Sequence, residues 1–233
     1  MITLYQFKPT FNLPNASPFC MKVETFLKLA GLPYTVEILH DPRKAPKGKL
    51  PYITDGKTSV ADSTLIVQYL TKTYGKDLNQ HLSTEEKALS HAMKIMMEEH
   101  LYWVTLYSRW VDERYWPATR EAFFGHLPPL IKNLVPKLIQ ESMKKQLHAQ
   151  GTGRHTPDEI YAMGKLGIDA LATFLADKPY LMGDRISEVD ATAYAFAANL
   201  IVPPLDTPLA ITARAHPNLV DYCARIKAQY FND

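Results

Sequence analysis

Ser17-Pro18-Phe19-Cys20-Met21-Lys22 lies where a short strand hands over to a helix, and its reading decides the fold. Upstream, residues 2–7 alternate as a strand. Downstream, apolar residues recur at helical spacing over 18–30, with Gly31 and Pro33 ending the run. Ser17 is the expected N-cap, because its side chain can accept from a free backbone N–H. Pro18 suits the first helical position, where a missing N–H costs nothing. Such a helix end carries partial positive charge and unpaired donors, which stabilise a thiolate or carboxylate placed nearby. The segment therefore points to thiol chemistry.

Working outward, residues 34–39 form a second strand pattern, followed by a polar loop over 40–49 and then Leu50-Pro51-Tyr52-Ile53-Thr54. Asp55-Gly56 between apolar runs signals a hairpin into residues 57–61. Asp62-Ser63 caps an amphipathic helix carrying Leu65, Ile66, Tyr69 and Leu70. The order, βαβ, an irregular link, then ββα, is thioredoxin-like.

Lys49-Leu50-Pro51, followed at the appropriate distance by Asp62-Ser63-Thr64-Leu65-Ile66-Val67-Gln68-Tyr69-Leu70, resembles the N-terminal domain of a glutathione transferase. The remainder is similar to that family's all-helical partner domain. The resemblance implies glutathione as cosubstrate, with Ser17 holding its sulfur, Leu50 before a cis Pro51 pairing its backbone with the cysteinyl unit, and Asp62 with Ser63 holding the γ-glutamyl end. A finer resemblance rests on Ser17–Thr25, on Pro46-Lys47-Gly48-Lys49-Leu50-Pro51-Tyr52-Ile53 and on Trp110-Val111-Asp112. These stretches are similar to the failed-axon-connections and metaxin-like branch. Metaxins of that branch are membrane-import components, so the resemblance also implies an alternative: a non-catalytic interaction protein.

The roles make physical sense on these residues. An extended peptide beside Leu50 gains backbone hydrogen bonds as an added strand does. Asp62 can take an α-amino group, while Ser63 and free N–H groups take a carboxylate. Lys49, or Lys47, in the basic loop with Arg43 and Lys44 can meet a glycyl carboxylate, although a solvated basic loop reads the same way.

A free thiol has a pKa of roughly 8.5 and must ionise to attack an electrophile, so a hydrogen bond from Ser17 would assist it. Ser17-Pro18-Phe19-Cys20 is a Cys-x-x-Cys pattern whose first position is Ser. A dithiol mechanism lacks its attacking thiolate, and Cys20 reads as a small buried hydrophobe. Glutathione-dependent thiol reduction through Cys20 stays as an alternative. Tyr5 competes with Ser17 as thiolate donor, since some classes of the family use a Tyr near the end of the first strand. Alternation groups it with Thr3 and Phe7, opposite Ile2, Leu4 and Gln6, so it can equally pack beneath a helix. The long loop 8–16 carries Phe11 and Leu13 and is expected to line the pocket.

Residues 74–82 read as a linker between a thioredoxin-like domain, 1–76, and an all-helical domain, 83–233. Ser83 with Glu86 forms a capping box opening a long helix expected to reach Trp116-Pro117. Another pattern, 118–149, breaks near Pro128-Pro129. Thr156-Pro157 starts a helix to about Asp177, and Ser187 with Asp190 caps an apolar helix that must be central. Trp103, Tyr107 and Trp110 share a helix face, and with Tyr5 and Phe19 they are the candidate walls of a pocket for a small hydrophobic electrophile. Core or dimer packing explains such a stripe as readily. Arg109 is expected to form a surface ion pair with Asp112 or Glu113.

Lysine and arginine number 26 against 24 acidic residues, a net charge of +2 that gives no nucleic-acid footprint. The two cysteines, Cys20 and Cys223, fall in different expected domains and make no disulfide framework. The eight histidines show no metal-ligand spacing. No signal peptide and no apolar run of membrane-spanning length is visible. The expectation is a cytoplasmic protein, homodimeric as is usual for the family, conjugating glutathione.

Overall fold

The computed structural model describes residues 1–231, so the last two positions of the expected helical domain lie outside the described residues. Strand β1 (Ile2–Gln6) leads through a long loop to helix α1 (Pro18–Leu29) and then to β2 (Tyr34–Ile38). After a 3₁₀ turn (Pro42–Lys44) come β3 (Tyr52–Asp55), β4 (Thr58–Ala61) and α2 (Ser63–Tyr74). The sheet order is β2-β1-β3-β4. β1 and β2 are parallel, as a helical crossover requires, whereas the β3–β4 hairpin is antiparallel and β3 pairs antiparallel with β1.

Alternation along β1 sends Ile2, Leu4 and Gln6 to the buried side. There Ile2, Leu4 and Ile53 pack with Val23, Phe26 and Leu27 of α1 and Ile66, Val67 and Leu70 of α2. Tyr5 is on the opposite side, where it joins Tyr52 and Phe7 against Cys20, Ala45 and Leu50. Asp62 caps α2 through its side chain, and Gly75 ends it in the left-handed conformation that favours glycine.

The second half is helical: α3 (Thr84–Ile95), a π-helical stretch (Met96–Leu101), α4 (Tyr102–Trp110), α5 (Trp116–Phe124), α6 (Pro129–Lys132), α7 (Leu134–Gln150), α8 (Pro157–Leu175), α9 (Glu188–Ile201), α10 (Pro208–Arg214) and α11 (Pro217–Tyr230). The Ser83–Glu86, Thr156–Glu159 and Ser187–Asp190 capping boxes are all formed. α9 is buried from Val189 to Leu200, as its near-uniform apolarity requires. Gly164 of α8 meets α10 so closely that a Cβ there would run into the Leu209 side chain.

The helix opened by Ser83 ends at Trp110, short of the expected Trp116-Pro117. The buried Asp112 explains this. Its carboxylate accepts the Arg114 backbone N–H and guanidinium, local bonds that compete with helix continuation, and is held by the distant Tyr161 hydroxyl as well. Among the described residues no helix is long and apolar enough to cross a membrane.

Candidate glutathione site

The sheet brings three chain segments to one edge. Tyr5 near the end of β1 pairs with Tyr52 at the start of β3, and Tyr52 pairs with Ala61 at the end of β4. The loop leading to Ser17, the Leu50-Pro51 approach to β3 and the Asp62-Ser63 exit from β4 therefore leave the sheet at the same end.

At α1, Ser17 Oγ accepts from Cys20 N at 3.4 Å and the Ser17 carbonyl accepts from Met21 N at 3.0 Å. Ser17 is partly exposed, and its own N–H donates to Asn15 Oδ1 at 3.0 Å. Asn15 is fully buried and also donates to the Phe7 carbonyl at 2.6 Å, so it laces the end of β1 to the start of α1. Cys20 is inaccessible, and burial pushes its thiol up to about 12. That matches the reading of Cys20 as a small hydrophobe and removes the basis for an attacking thiolate.

The Leu50-Pro51 bond is cis. Leu50 packs against Cys20, and neither its N–H nor its C=O has a partner among the described residues. At α2, Asp62 adopts φ 95° and uses one carboxylate oxygen, Oδ1, to accept Thr64 N and Leu65 N at 3.0 and 3.1 Å. Its other oxygen has no partner among the described residues. Ser63 is buried beside it. Lys47 and Lys49 are exposed, whereas Arg43 is spent on Asp41 in a two-bond pair.

Tyr5 lies flat on Tyr52, with ring centroids 4.2 Å apart and planes 5° from parallel. It stacks across the strand pair and packs against the small cluster that includes Cys20 of α1. Phe19 meets Tyr102 and Phe196 edge-on at 4.9 and 5.8 Å. The aromatic stripe of α4 does not act as one wall. Tyr107 turns away to Tyr161 and a cleft with Val111, Lys145 and His148, and Trp103 packs edge-on to Tyr102. Trp103 approaches the first half through Tyr102, which meets Phe19, and Trp110 approaches it through Phe123, whose ring is edge-on to Phe11 at 5.7 Å. Phe11 thus borders this aromatic group as a loop-8–16 residue, while Leu13 is buried in the helical core.

Two α4 residues that touch the first half are Tyr102 and Arg109, seven apart and hence on one helix face. Arg109 is buried and makes no ion pair with Asp112 or Glu113. It donates to the Ala16 carbonyl and Asn199 Oδ1, both at 3.0 Å, and to the Asn199 carbonyl. Burial lowers its guanidinium to about 10. Asp112 pairs with Arg114, and Glu113 with Lys144. The expected surface pair does not form because the face of α4 that carries Arg109 packs against Ala16 and Asn199 instead of facing solvent.

With this geometry in view, the relatives decide the family. The chain is 31% identical to an isoprene-epoxide glutathione S-transferase of Rhodococcus sp. (strain AD45), covering 99% of both chains. It belongs to the glutathione S-transferase superfamily. Profiles of the glutathione S-transferase N-terminal and C-terminal domains match residues 18–115 and 164–226. Failed axon connections of Drosophila melanogaster is 34% identical over 100% of this chain and 59% of its own length. Metaxin-2 of Homo sapiens is 27% identical over 99% and 89%. The chain is thus also similar to proteins of the failed-axon-connections and metaxin-like branch. A β-etherase from Sphingobium sp. strain SYK-6 shares the fold, with a TM-score of 0.66 at 20% identity over 98% of this chain and 95% of that one.

Within this glutathione S-transferase fold, sequence reasoning missed Lys22. Its ammonium is buried and pairs with Glu98 Oε1 at 2.6 Å, and it also reaches Ser63 Oγ and Thr64 Oγ1 at 3.3 and 3.2 Å. Burial pushes Lys22 below its ordinary range and Glu98 pulls it back in part. A signal existed, because Lys22 falls among apolar neighbours one turn from Pro18 and Phe26 on an otherwise buried face. Asn15 and Asn199 gave no such signal. Their roles depend on contacts across 184 residues of chain.

Proposed function

We propose that this chain binds reduced glutathione along the sheet edge and conjugates it to a small hydrophobic electrophile, with Ser17 donating to the thiolate. The observation that carries this reading is the coincidence at one end of the sheet of three polar features. These are a hydroxyl at a helix start, the unpaired Leu50 backbone before cis Pro51, and the free oxygen of Asp62 beside Ser63. Leu50 would pair with the cysteinyl unit, Asp62 would take the γ-glutamyl amine, and Lys49 the glycyl carboxylate.

Ser17 Oγ accepts from Cys20 N and its hydroxyl also lies beside the buried Cys20 thiol, so on this reading its proton turns from that thiol to the ligand sulfur at the positive end of α1. The thiolate then attacks an electrophilic carbon, a C–S bond forms and the leaving bond breaks. For an epoxide this is the C–O bond, and the alkoxide takes a proton from water. Epoxides are the first electrophiles to test, given the name of the Rhodococcus relative. Phe11, Phe19, Trp110 and Phe123 would supply the apolar wall, with Tyr5 near the thiolate as the competing donor. We read the protein as cytoplasmic, where glutathione is reduced, and as a homodimer through the exposed Leu65, Leu89 and Ile95 of α2 and α3.

The metaxin and failed-axon-connections relatives favour a second reading, a protein that keeps the fold without turnover. Titration of the purified chain with reduced glutathione and its S-hexyl derivative, followed by an epoxide-conjugation assay, separates the two. Tighter binding of the S-hexyl form with turnover supports the transferase. Absence of binding at millimolar glutathione overturns it in favour of the interaction protein.

A further inference from the structure

Lys22 carries three bonds and no spare donor. An ammonium has three donors and no acceptor, and these go to Glu98 Oε1, Ser63 Oγ and Thr64 Oγ1. Glu98 is buried too, and it also accepts the Thr192 hydroxyl of α9 at 3.4 Å. A hydroxyl oxygen that accepts from an ammonium must point its own proton elsewhere. Among the described residues neither the Ser63 nor the Thr64 hydroxyl donates to any protein group. Both stand in the first turn of α2, beside the free oxygen of Asp62.

We propose that Lys22 is a positioning residue: it fixes the Ser63 and Thr64 hydroxyls as outward donors and thereby sets recognition of the α-carboxylate of a γ-glutamyl ligand. The inference rests on the glutathione reading above and deepens it. Glu98 serves to hold the ammonium in place from the helical half, across the junction with α1. The two additional bonds satisfy the ammonium's remaining protons, as burial requires, and they go to two adjacent hydroxyls whose own protons have no partner among the described residues, which ties the orientation of both to Lys22.

The test compares two ligands on the full chain by titration calorimetry: S-hexylglutathione, and the same molecule with hydrogen replacing the γ-glutamyl α-carboxylate. Lys22→Met should weaken the first by about tenfold or more and leave the second nearly unchanged, because charge-assisted hydrogen bonds to the carboxylate are lost. In steady-state assays the KM for glutathione should rise with kcat retained. Lys22→Met strands the buried Glu98 carboxylate, so Lys22→Met/Glu98→Gln, which removes both charges, is read in parallel. Equal weakening of both ligands in the double variant, or no weakening of either, overturns the inference and leaves Lys22 a structural residue. A wild-type chain that binds neither ligand overturns the glutathione reading itself, and the role of Lys22 with it.

Discussion

On the proposed reading the Ser17 hydroxyl serves two relations at once: it accepts the Cys20 N–H, and it would give its proton to a ligand sulfur. Ser17→Ala removes both. Loss of the N-cap should cost about 1 kcal/mol of stability in urea unfolding. Loss of the donor should lower kcat/KM at neutral pH by about a hundredfold, the size found when one donor to a developing anion is deleted. The pH profile supplies the sign. Without the hydrogen bond the bound thiol has a higher pKa, so the rate should recover as pH rises, and a profile of unchanged shape would assign the donor role elsewhere, with Tyr5 next. Cys20 gives the opposite expectation. Its thiol is buried and raised to about 12, so it stays protonated and inert at neutral pH. Cys20→Ala should keep conjugation near the wild-type rate, and iodoacetamide should label Cys20 only after denaturation. Loss of activity in that variant would revive the thiol-reduction alternative.

At the scale of elements, α4 controls the segment that presents Ser17. Arg109 holds the Ala16 carbonyl while Asn199 of α9 donates to the Asn15 carbonyl at 3.3 Å, so two helices of the second half clamp the loop from both residues preceding Ser17. Arg109→Met strands the buried Ala16 and Asn199 acceptors, and each unsatisfied group costs about 1–3 kcal/mol. Urea unfolding should show that loss, and in the folded fraction kcat should fall because the Ser17 position is no longer fixed. Unchanged kcat would mean that Asn15 alone sets the loop. The strap was not legible in the sequence, although its neighbours were. Ser17 with Pro18, Asp55 with Gly56, Asp62 with Ser63 and the Ser187–Asp190 box could be read because caps and turns are encoded within four residues. The orientation of α4 was not, since it follows from which face meets Ala16 and Phe19, contacts made across more than 80 residues of chain. The end of α4 at Trp110 was missed likewise, because the distant Tyr161 is one of the groups that hold Asp112.

Across the whole molecule, the two halves share their cores. Leu13 and Met21 of the first half belong to the cluster built by α8, α9 and α11, and Ala191 of α9 belongs to the cluster under the sheet. Buried polar bonds cross the same junction at Lys22–Glu98, Arg109–Ala16 and Asn199–Asn15. Separating the halves would expose apolar surface on α1 and α9 and leave these groups unpaired, so neither half should persist without the other. The chain carries its own probes for this. Trp103, Trp110 and Trp116 are all in the helical half, while Cys20 is inaccessible in α1 beneath the sheet edge. Tryptophan fluorescence and the labelling of Cys20, with Cys223 replaced by Ser, should therefore report the same urea midpoint, as expected for a single cooperative transition. Cys20 becoming reactive well before the tryptophans redden would mean that the thioredoxin-like half opens alone. The shared core would then be too weak to couple the halves, and the Arg109 and Lys22 bonds would have to be read as local to their own ends of the site.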